Sequence, residues 1–442
     1  MEQNTIPSTK VQRAMRFVKT GAQIGGNYIK HYSKKIVDPN LSKDDLHEAN
    51  ATDVYNALSE LKGSALKVAQ MLSMEKNILP RQYTNKFQMA QYSAPPLSGP
   101  LIVQTFVKSF GKTPQQMFDV FEMKASNAAS IGQVHKAELN GKILAVKIQY
   151  PGVAESIKSD LKIVKPIAFR LLDMNEKELD KYIKEVEGKL LEETDYKLEY
   201  KRSIEISNAC KHLSDVVFTN YYESLSSTKV LTMDWLDGMH LDDFLKTNPS
   251  QEVRDKVGQA MWDFYDVQVH QLKAVHADPH PGNFLMQPDG KLGVIDFGCV
   301  KEIPDDFYLN YFALLVPEIM KSKDAIRAIM EQQEIIQPAD TEVVKAKISD
   351  AFIRMTNLLK KPFDEAVFDF GNDQYINEIY ELGEEVSKMD ELKKSKEGRG
   401  SQHALYINRT YFGLYSILNV LKARVNTGVR DWASPLVQYH LK

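Results

Sequence analysis

Residues 276–298, HADPHPGNFLMQPDGKLGVIDFG, constrain this chain more than any other stretch. Asp278 and Asn283 stand five positions apart on what reads as one loop, and Asp296 follows in an Asp-Phe-Gly triplet. Between them, Phe284-Leu285-Met286 and Leu292-Gly293-Val294-Ile295 are short apolar runs joined through Asp289-Gly290, the pattern of a β-hairpin. Such a hairpin returns Asp296 to the side of Asn283. A hard cation such as Mg²⁺ takes a few protein oxygens together with phosphate oxygens, so an amide and a carboxylate meeting at a loop suit it. Asp278, a second carboxylate on that loop, is then placed to orient the nucleophile of a phosphoryl transfer. Each piece alone reads as a turn, a packed histidine or a chance triplet. In this order and at this spacing, chance is a poor account.

Composition narrows the classes. The 442 residues suffice for two or three domains or one large lobed one, with 43% hydrophobic and 26% charged residues as in ordinary globular proteins. A net charge of -3 argues against a nucleic-acid partner. Cys210 and Cys299 are the only cysteines, which leaves no disulfide framework and fits a reducing, cytoplasmic setting. No run approaches the length of a membrane span, and no apolar signal core opens the chain. Residues 1–36 carry Lys10, Arg13, Arg16, Lys19, Lys30, Lys34 and Lys35 against Glu2, with Phe17, Ile24, Tyr28 and Tyr32 near helical spacing. Such a basic amphipathic stretch suits peripheral contact with an anionic membrane, and equally suits packing on its own domain. Residues 50–75 read as an amphipathic helix with Leu58, Leu61, Ala65, Val68 and Leu72 on one stripe, and Lys67 and Gln70 beside it as solvated residues by spacing alone. The Pro-containing loop 93–98 marks a boundary near residue 95. Short helices over 100–110 and 114–120 follow, each opened by a proline.

From residue 125 the pattern becomes β. A loop of small residues, 126–133, with Ala128, Ala129 and Ser130 at its centre, precedes strands over 134–139 and 142–149 joined by Asn140-Gly141. Lys147 sits in Ala-Val-Lys-Ile, and a lysine on an apolar strand must find an anion or expose its head; an ATP phosphate is such an anion. A long helical stretch over 176–208 carries Glu192, Glu193, Asp195 and Glu199, one of which should pair with Lys147. Strands over 216–219 and 229–235 lead to Asp234-Trp235-Leu236-Asp237-Gly238, where a chain crossing between lobes exposes backbone groups to adenine. A helix over 251–273 then precedes the opening loop. Lysine strand, acidic helix, hinge, catalytic loop and Asp-Phe-Gly is the order of protein kinases.

These residues carry a closer resemblance. Ser130-Ile131-Gly132-Gln133-Val134-His135, Ala145-Val146-Lys147, Glu193-Thr194-Asp195-Tyr196, His276 to Asn283 and Val294 to Gly298 together resemble the UbiB/AarF family of atypical, protein-kinase-like proteins, over about residues 10–330. The resemblance implies an alanine-rich phosphate loop, matched by Ala128 and Ala129, with Asn127 where alanine is common. It also implies a regulatory Lys-x-Gly-Gln helix, matched by Lys67 and Gln70 with Ala69 in place of glycine, and a Glu-x-Asp motif meeting it, matched by Glu193 and Asp195. Glu199 is then the partner expected for Lys147, with Glu193 as runner-up.

The expected architecture is α+β: a bilobal protein-kinase-like fold with an N-terminal helical extension (1–95), an N-lobe with inserted helices (96–236) and a helical C-lobe (237–442). Helices are expected over 305–321, 324–332, 341–359 and 404–424, the last with a core stripe of Leu414, Ile417, Leu418 and Leu421, and 393–401 reads as a mobile polar loop. No Ala-Pro-Glu segment follows Asp296. The expected function is an ATP- and Mg²⁺-dependent atypical kinase or ATPase. Asp278 is its catalytic residue, Asn283 and Asp296 are its metal ligands, and Lys147 is its phosphate contact; Ala128, Ala129, Ser130, Glu199, Asp234 and Leu236 line its nucleotide. The resemblance implies a small-molecule or lipid substrate in isoprenoid-lipid or quinone metabolism. The competing readings are a nucleotide-dependent regulator without phosphotransfer and a small-molecule phosphotransferase resembling the aminoglycoside kinases.

Overall fold

Asn140 and Gly141, at φ 52° and 74°, make the tight turn expected of an Asn-Gly pair in a computed structural model that describes residues 97–128, 131–171, 176–393, 399–428 and 432–441 with isolated positions between 26 and 56. The turn joins β3 (Gly132–Leu139) to β4 (Lys142–Gln149) in an antiparallel pair. These strands form the centre of a five-stranded antiparallel sheet. β1 (Val120–Phe121) and β2 (Asn127–Ala128) pair with opposite ends of β3, and β6 (Val230–Asp234) covers the other edge of β4. Period-two alternation sends Leu144, Val146 and Ile148 of β4 into a core with Ile102, Phe106, Phe118 and Val230. Lys147, between them in sequence, therefore faces the other way.

The chain divides into two compact units: 1–201 with 219–235, and 202–218 with 236–442. The first holds the sheet, α1 (Gly99–Phe110), α2 (Pro114–Met117), α3 (Val153–Leu171), α4 (Glu176–Glu193) and the start of α5 (Tyr196–Ala209). Three sequence expectations are corrected here. The helix expected over 114–120 ends at Met117, and Val120 begins a strand. Nothing in the sequence reading anticipated α3. The single helix expected over 176–208 is two, because Thr194 turns its hydroxyl back to Leu191 O at 2.8 Å while Asp195 Oδ1 accepts the Lys197 and Leu198 amides at 3.0 and 3.3 Å. A carboxylate capping two amides starts a new helix.

The second unit is mainly helical. It holds β5 (Val216–Phe218), α6 (Leu241–Lys246), α7 (Gln251–Val267), β7 (Ala274–His276), β8 (Phe284–Met286), β9 (Leu292–Val294), β10 (Val300–Glu302), α8 (Asp305–Tyr311), α9 (Pro317–Met320), α10 (Lys323–Gln332), α11 (Glu342–Leu359), α12 (Lys361–Asp364), β11 (Phe368–Asp369), α13 (Asp373–Ser387), α14 (Asp390–Lys393), α15 (Gln402–Leu421), β12 (Arg424–Val425) and α16 (Ala433–His440). The helix expected over 305–321 is broken before Pro317, whose ring tolerates a first turn and no more. α7 ends in a π turn at Gln268–Leu272. Its Trp262 packs against Phe363, Phe370 and Tyr415, so the C-terminal helices share one aromatic core with α7. Arg424 caps this arrangement through Asp255 Oδ2 at 2.8 Å. Of the loop expected to be mobile, Arg399 is held by a bidentate pair to Asp340 at 2.7 and 2.5 Å.

The α+β, kinase-like class inferred from the sequence is the observed one. Among the described residues, no helix is long and apolar enough to cross a membrane.

Candidate functional site

In the first unit the site is built on β4. Lys147 Nζ lies 2.8 Å from Glu199 Oε1, with side-chain exposures of only 11% and 2%. The ring of Tyr196 lies 5.2 Å from the same ammonium, measured to its centroid. Glu199 stands one helical turn beyond Asp195, so the cap that starts α5 also aims its carboxylate. Gln149, two residues after the lysine, donates Nε2 to Thr194 O at 2.9 Å and accepts from Lys229 Nζ, tying β4 to the break between α4 and α5. Of the two acids considered for Lys147, Glu199 makes the pair, and Glu193 is buried at the end of α4. A buried ion pair is costly to form, and costlier to leave half-made.

The remaining first-unit candidates are placed as follows. Ala128 pairs with Gln133 at the open end of β3, just before the loop. Ala129, Ser130, Lys67 and Gln70 lie outside the described residues, as do most of the expected N-terminal helices. Asp234 ends β6 opposite Leu144. Its carboxylate accepts from Tyr222 Oη at 2.6 Å and Asn220 Nδ2 at 2.7 Å. Partial burial opposes ionisation there, but these bonds and the nearby Lys142 outweigh it and hold the carboxyl below its usual range. Leu236 belongs to the second unit and packs on Gly293, where a Cβ would meet Leu236 Cδ2 at 2.5 Å.

In the second unit, β7 and β10 hold the two ends of the 276–298 stretch, with Val300 opposite His276 and Ala277 N bonded to Cys299 O at 2.9 Å. The loop folds on itself: His280 N donates to Asp278 O at 2.7 Å and Asn283 N to His280 O at 2.9 Å. Asn283 Nδ2 donates to Asp278 O at 2.8 Å, which turns the amide oxygen the opposite way. The hairpin expected between the two acids forms as β8 and β9, with Phe284 opposite Val294 and Gly290 at φ 86° in the turn. Ile295 N then bonds Asn283 O at 3.2 Å, bringing Asp296 to the loop. Asp296 Oδ1 accepts from Gly298 N at 2.9 Å. Phe297 is buried between Phe218 and His276, which anchors the triplet. The loop and hairpin thus gather Asp278, Asn283 and Asp296, while Lys147 and Glu199 meet in the other unit.

Sequence reasoning missed Arg409. Its Nη2 donates to Asp278 Oδ1 at 2.9 Å, with side-chain exposures of 5% and 12%. It lies on α15, whose Gly413, one turn later, has Pro279 so close that a Cβ would meet Pro279 Cγ at 2.2 Å. Tyr406, one turn earlier, clusters with Ala277 and Cys299. One face of α15 is therefore shaped to the Asp278–Asn283 loop. The available signal was the apolar stripe read from Leu414, which continues backward through Thr410 and Ile407 with a charged residue at its edge.

A lysine–glutamate pair on one unit, with a loop carrying Asp, Asn and Asp-Phe-Gly on the other, defines a kinase-like protein. The ABC1 atypical kinase-like domain family matches residues 89–330. This chain belongs to that family, in agreement with the UbiB/AarF resemblance of its motifs. It is 24% identical over 447 residues to a Dictyostelium discoideum protein named probable serine/threonine-protein kinase abkA, covering 96% of this chain and 78% of that one. It is 25% identical over 386 residues to the mitochondrial atypical kinase COQ8 of Saccharomyces cerevisiae, covering 86% and 76%. Among solved structures, that of Rv3197 with erythromycin from Mycobacterium tuberculosis superposes with a TM-score of 0.59 at 26% identity, over 90% of this chain and 98% of that one.

Proposed function

We propose that this protein binds ATP with Mg²⁺ and hydrolyses it or transfers its terminal phosphoryl group to a small or lipid-like acceptor. The observation that carries the reading is the enclosed Lys147–Glu199 pair at 2.8 Å, an ammonium held in place on a strand beside a small-residue loop. Lys147 would meet the phosphates, and Asp278 would orient the acceptor hydroxyl or water. The donor set suits Mg²⁺: Asn283 presents an amide oxygen turned away from Asp278, and Asp296 supplies a carboxylate fixed by Gly298 N. Among the described residues no three His, Cys, Asp or Glu side chains converge as a metal cage, so a cation held here would draw further oxygens from the nucleotide. The ion when bound would neutralise phosphate charge. The chain's own residues orient the phosphates and hold the proton acceptor. Ala128, Ala129 and Ser130 belong to the phosphate loop in this reading, and Lys67 and Gln70 with Glu193 and Asp195 form its regulatory contact.

The UbiB/AarF resemblance supports an acceptor or effector in isoprenoid-lipid or quinone metabolism, and the basic stretch 1–36 supports peripheral contact with an anionic membrane. One observation favours the second reading, a nucleotide-dependent regulator: Asp278 Oδ1 is engaged by a buried guanidinium, which occupies part of its capacity to accept a proton. ADP release, measured with and without isoprenoid or quinone-like lipids, separates the two. Lipid-stimulated turnover abolished by Asp278→Asn supports the transferase or ATPase reading. Tight MgATP binding with turnover indifferent to Asp278→Asn supports the regulator.

A further inference from the structure

Tyr196 opens α5 immediately after the capping Asp195, and its side chain is wholly buried. Its backbone N donates to Thr228 O at 3.3 Å. Two contacts of its side chain point in different directions. The ring lies 5.2 Å from Lys147 Nζ, and the hydroxyl lies 2.7 Å from the place a Cβ would occupy at Gly132. Ile148 O is equally 2.7 Å from that point. Gly132 pairs with Gln149, and Val134 with Lys147, so Tyr196 spans two strands on the face that carries the lysine. Gly132 does not adopt a left-handed backbone, so what it supplies is space, and the tyrosine uses it.

We propose that Tyr196 is a positioning residue for Lys147, registering the ammonium to the loop that precedes β3. The inference rests on the reading of Lys147 as the phosphate contact. A lysine reaches its partner over a stem of four rotatable bonds, and a carboxylate at 2.8 Å fixes a distance better than a direction. A ring facing the ammonium attracts it through its quadrupole and keeps water and other rotamers off that side. The hydroxyl end of the same side chain lies against Gly132, which limits how far the ring can shift along the strand. The Gly132 of Ser-Ile-Gly-Gln-Val-His and the Tyr196 of Glu-Thr-Asp-Tyr are thus two halves of one contact. A shift of either would move the lysine relative to the phosphate loop.

The test is a double-mutant cycle on the full chain, read as the MgATP dissociation constant with melting temperature recorded for each variant. Tyr196→Phe keeps the ring and should bind within about twofold of the parent, whereas Tyr196→Leu should bind about five- to tenfold more weakly through loss of the cation–π contact. With Lys147→Met in place, Tyr196→Leu should cost nothing further in affinity, since its effect runs through the lysine. Equal losses in both backgrounds would make the tyrosine a packing residue and overturn the proposal. If Lys147→Met alone binds MgATP as the parent does, the phosphate role of the lysine fails and this proposal with it, a result distinct from additivity. Should Tyr196→Leu not fold, Gly132→Ala replaces it. Its methyl would press on the hydroxyl and on Ile148 O alike, so adding Tyr196→Phe should restore only the part of the lost affinity that is due to the hydroxyl. No restoration contradicts the wedge.

Discussion

Asp278 is held by a residue 131 positions away, Arg409, whose Nη2 donates to its carboxylate. Arg409 is buried with it, and removing one member of such a pair leaves the other without its counter-charge. Arg409→Leu should therefore lower unfolding free energy by about 3–5 kcal/mol. Arg409→Lys should recover part of this, because an ammonium supplies charge without the guanidinium's planar fork. Urea denaturation of the two variants checks both. A loss under 1 kcal/mol for Arg409→Leu would show that the loop does not depend on the pair. The contrast with Lys147 shows what was readable at this scale. Lys147 and an acid of the 176–208 stretch are expected to pair from their order in the chain, and the family resemblance, which assigns Glu193 and Asp195 elsewhere, points to Glu199. Arg409 is marked locally only as a charged residue at the edge of a helical stripe, and its partner is set by the tertiary packing of α15 on the loop.

At the scale of elements, β3 is pinned by a histidine whose protonation the structure specifies. Gln133 Oε1 accepts from Leu97 N at 2.7 Å, so its amide group donates to His135 Nε2 at 2.7 Å. His135 Nδ1 then carries the proton and donates to Glu122 O at 2.8 Å. Burial lowers the His135 pKa below its ordinary 6.5, against the raising effect of the Glu122 carbonyl and charge. The unfolded chain then binds more protons than the folded one. The stability due to neutral His135 is present in full above pH 6.5 and is lost as pH falls through that value toward the folded pKa. Stability measured between pH 7.5 and 5.5 should decline in the parent, and the decline should be shallower in His135→Asn. Identical slopes would remove His135 as the cause.

The same scale governs α15. Gly413→Ala places a methyl 2.2 Å from Pro279 Cγ, so the loop or the helix must shift. Turnover should fall at least tenfold with MgATP affinity within about threefold, as expected when a reacting group is displaced by an ångström. Unchanged turnover would mean that α15 does not hold the loop in place. The hairpin β8–β9 and the Asn140-Gly141 turn were legible because turn chemistry is local. The break at Thr194-Asp195 was also written locally, in an aspartate preceding an amphipathic run, but continuous helical periodicity on both sides obscured it. α3 and α13 were passed over between stretches that carried motifs.

Across the whole chain, the motifs from the small-residue loop to Asp-Phe-Gly lie within residues 89–330, Lys67 and Gln70 precede them, and the helix that packs on the Asp278 loop lies beyond them. The family was legible because its motifs are short and ordered. The support from 331–442 was not, because packing faces such as Tyr406, Arg409 and Gly413 take their meaning from contacts distant in sequence.

In the function proposed above, Lys147, Asn283 and Asp296 would contact MgATP and Asp278 would act on it. The most direct measurement is thermal stabilisation by ATP across a Mg²⁺ titration, for the parent, Asp296→Asn and Asp278→Asn, with ADP release followed in parallel. The account predicts that Asp296→Asn loses most of the Mg²⁺-dependent stabilisation, since a carboxylate oxygen ligand is replaced by a neutral amide. Asp278→Asn should keep the stabilisation and lose turnover. Undiminished Mg²⁺-dependent stabilisation in Asp296→Asn would contradict the claim.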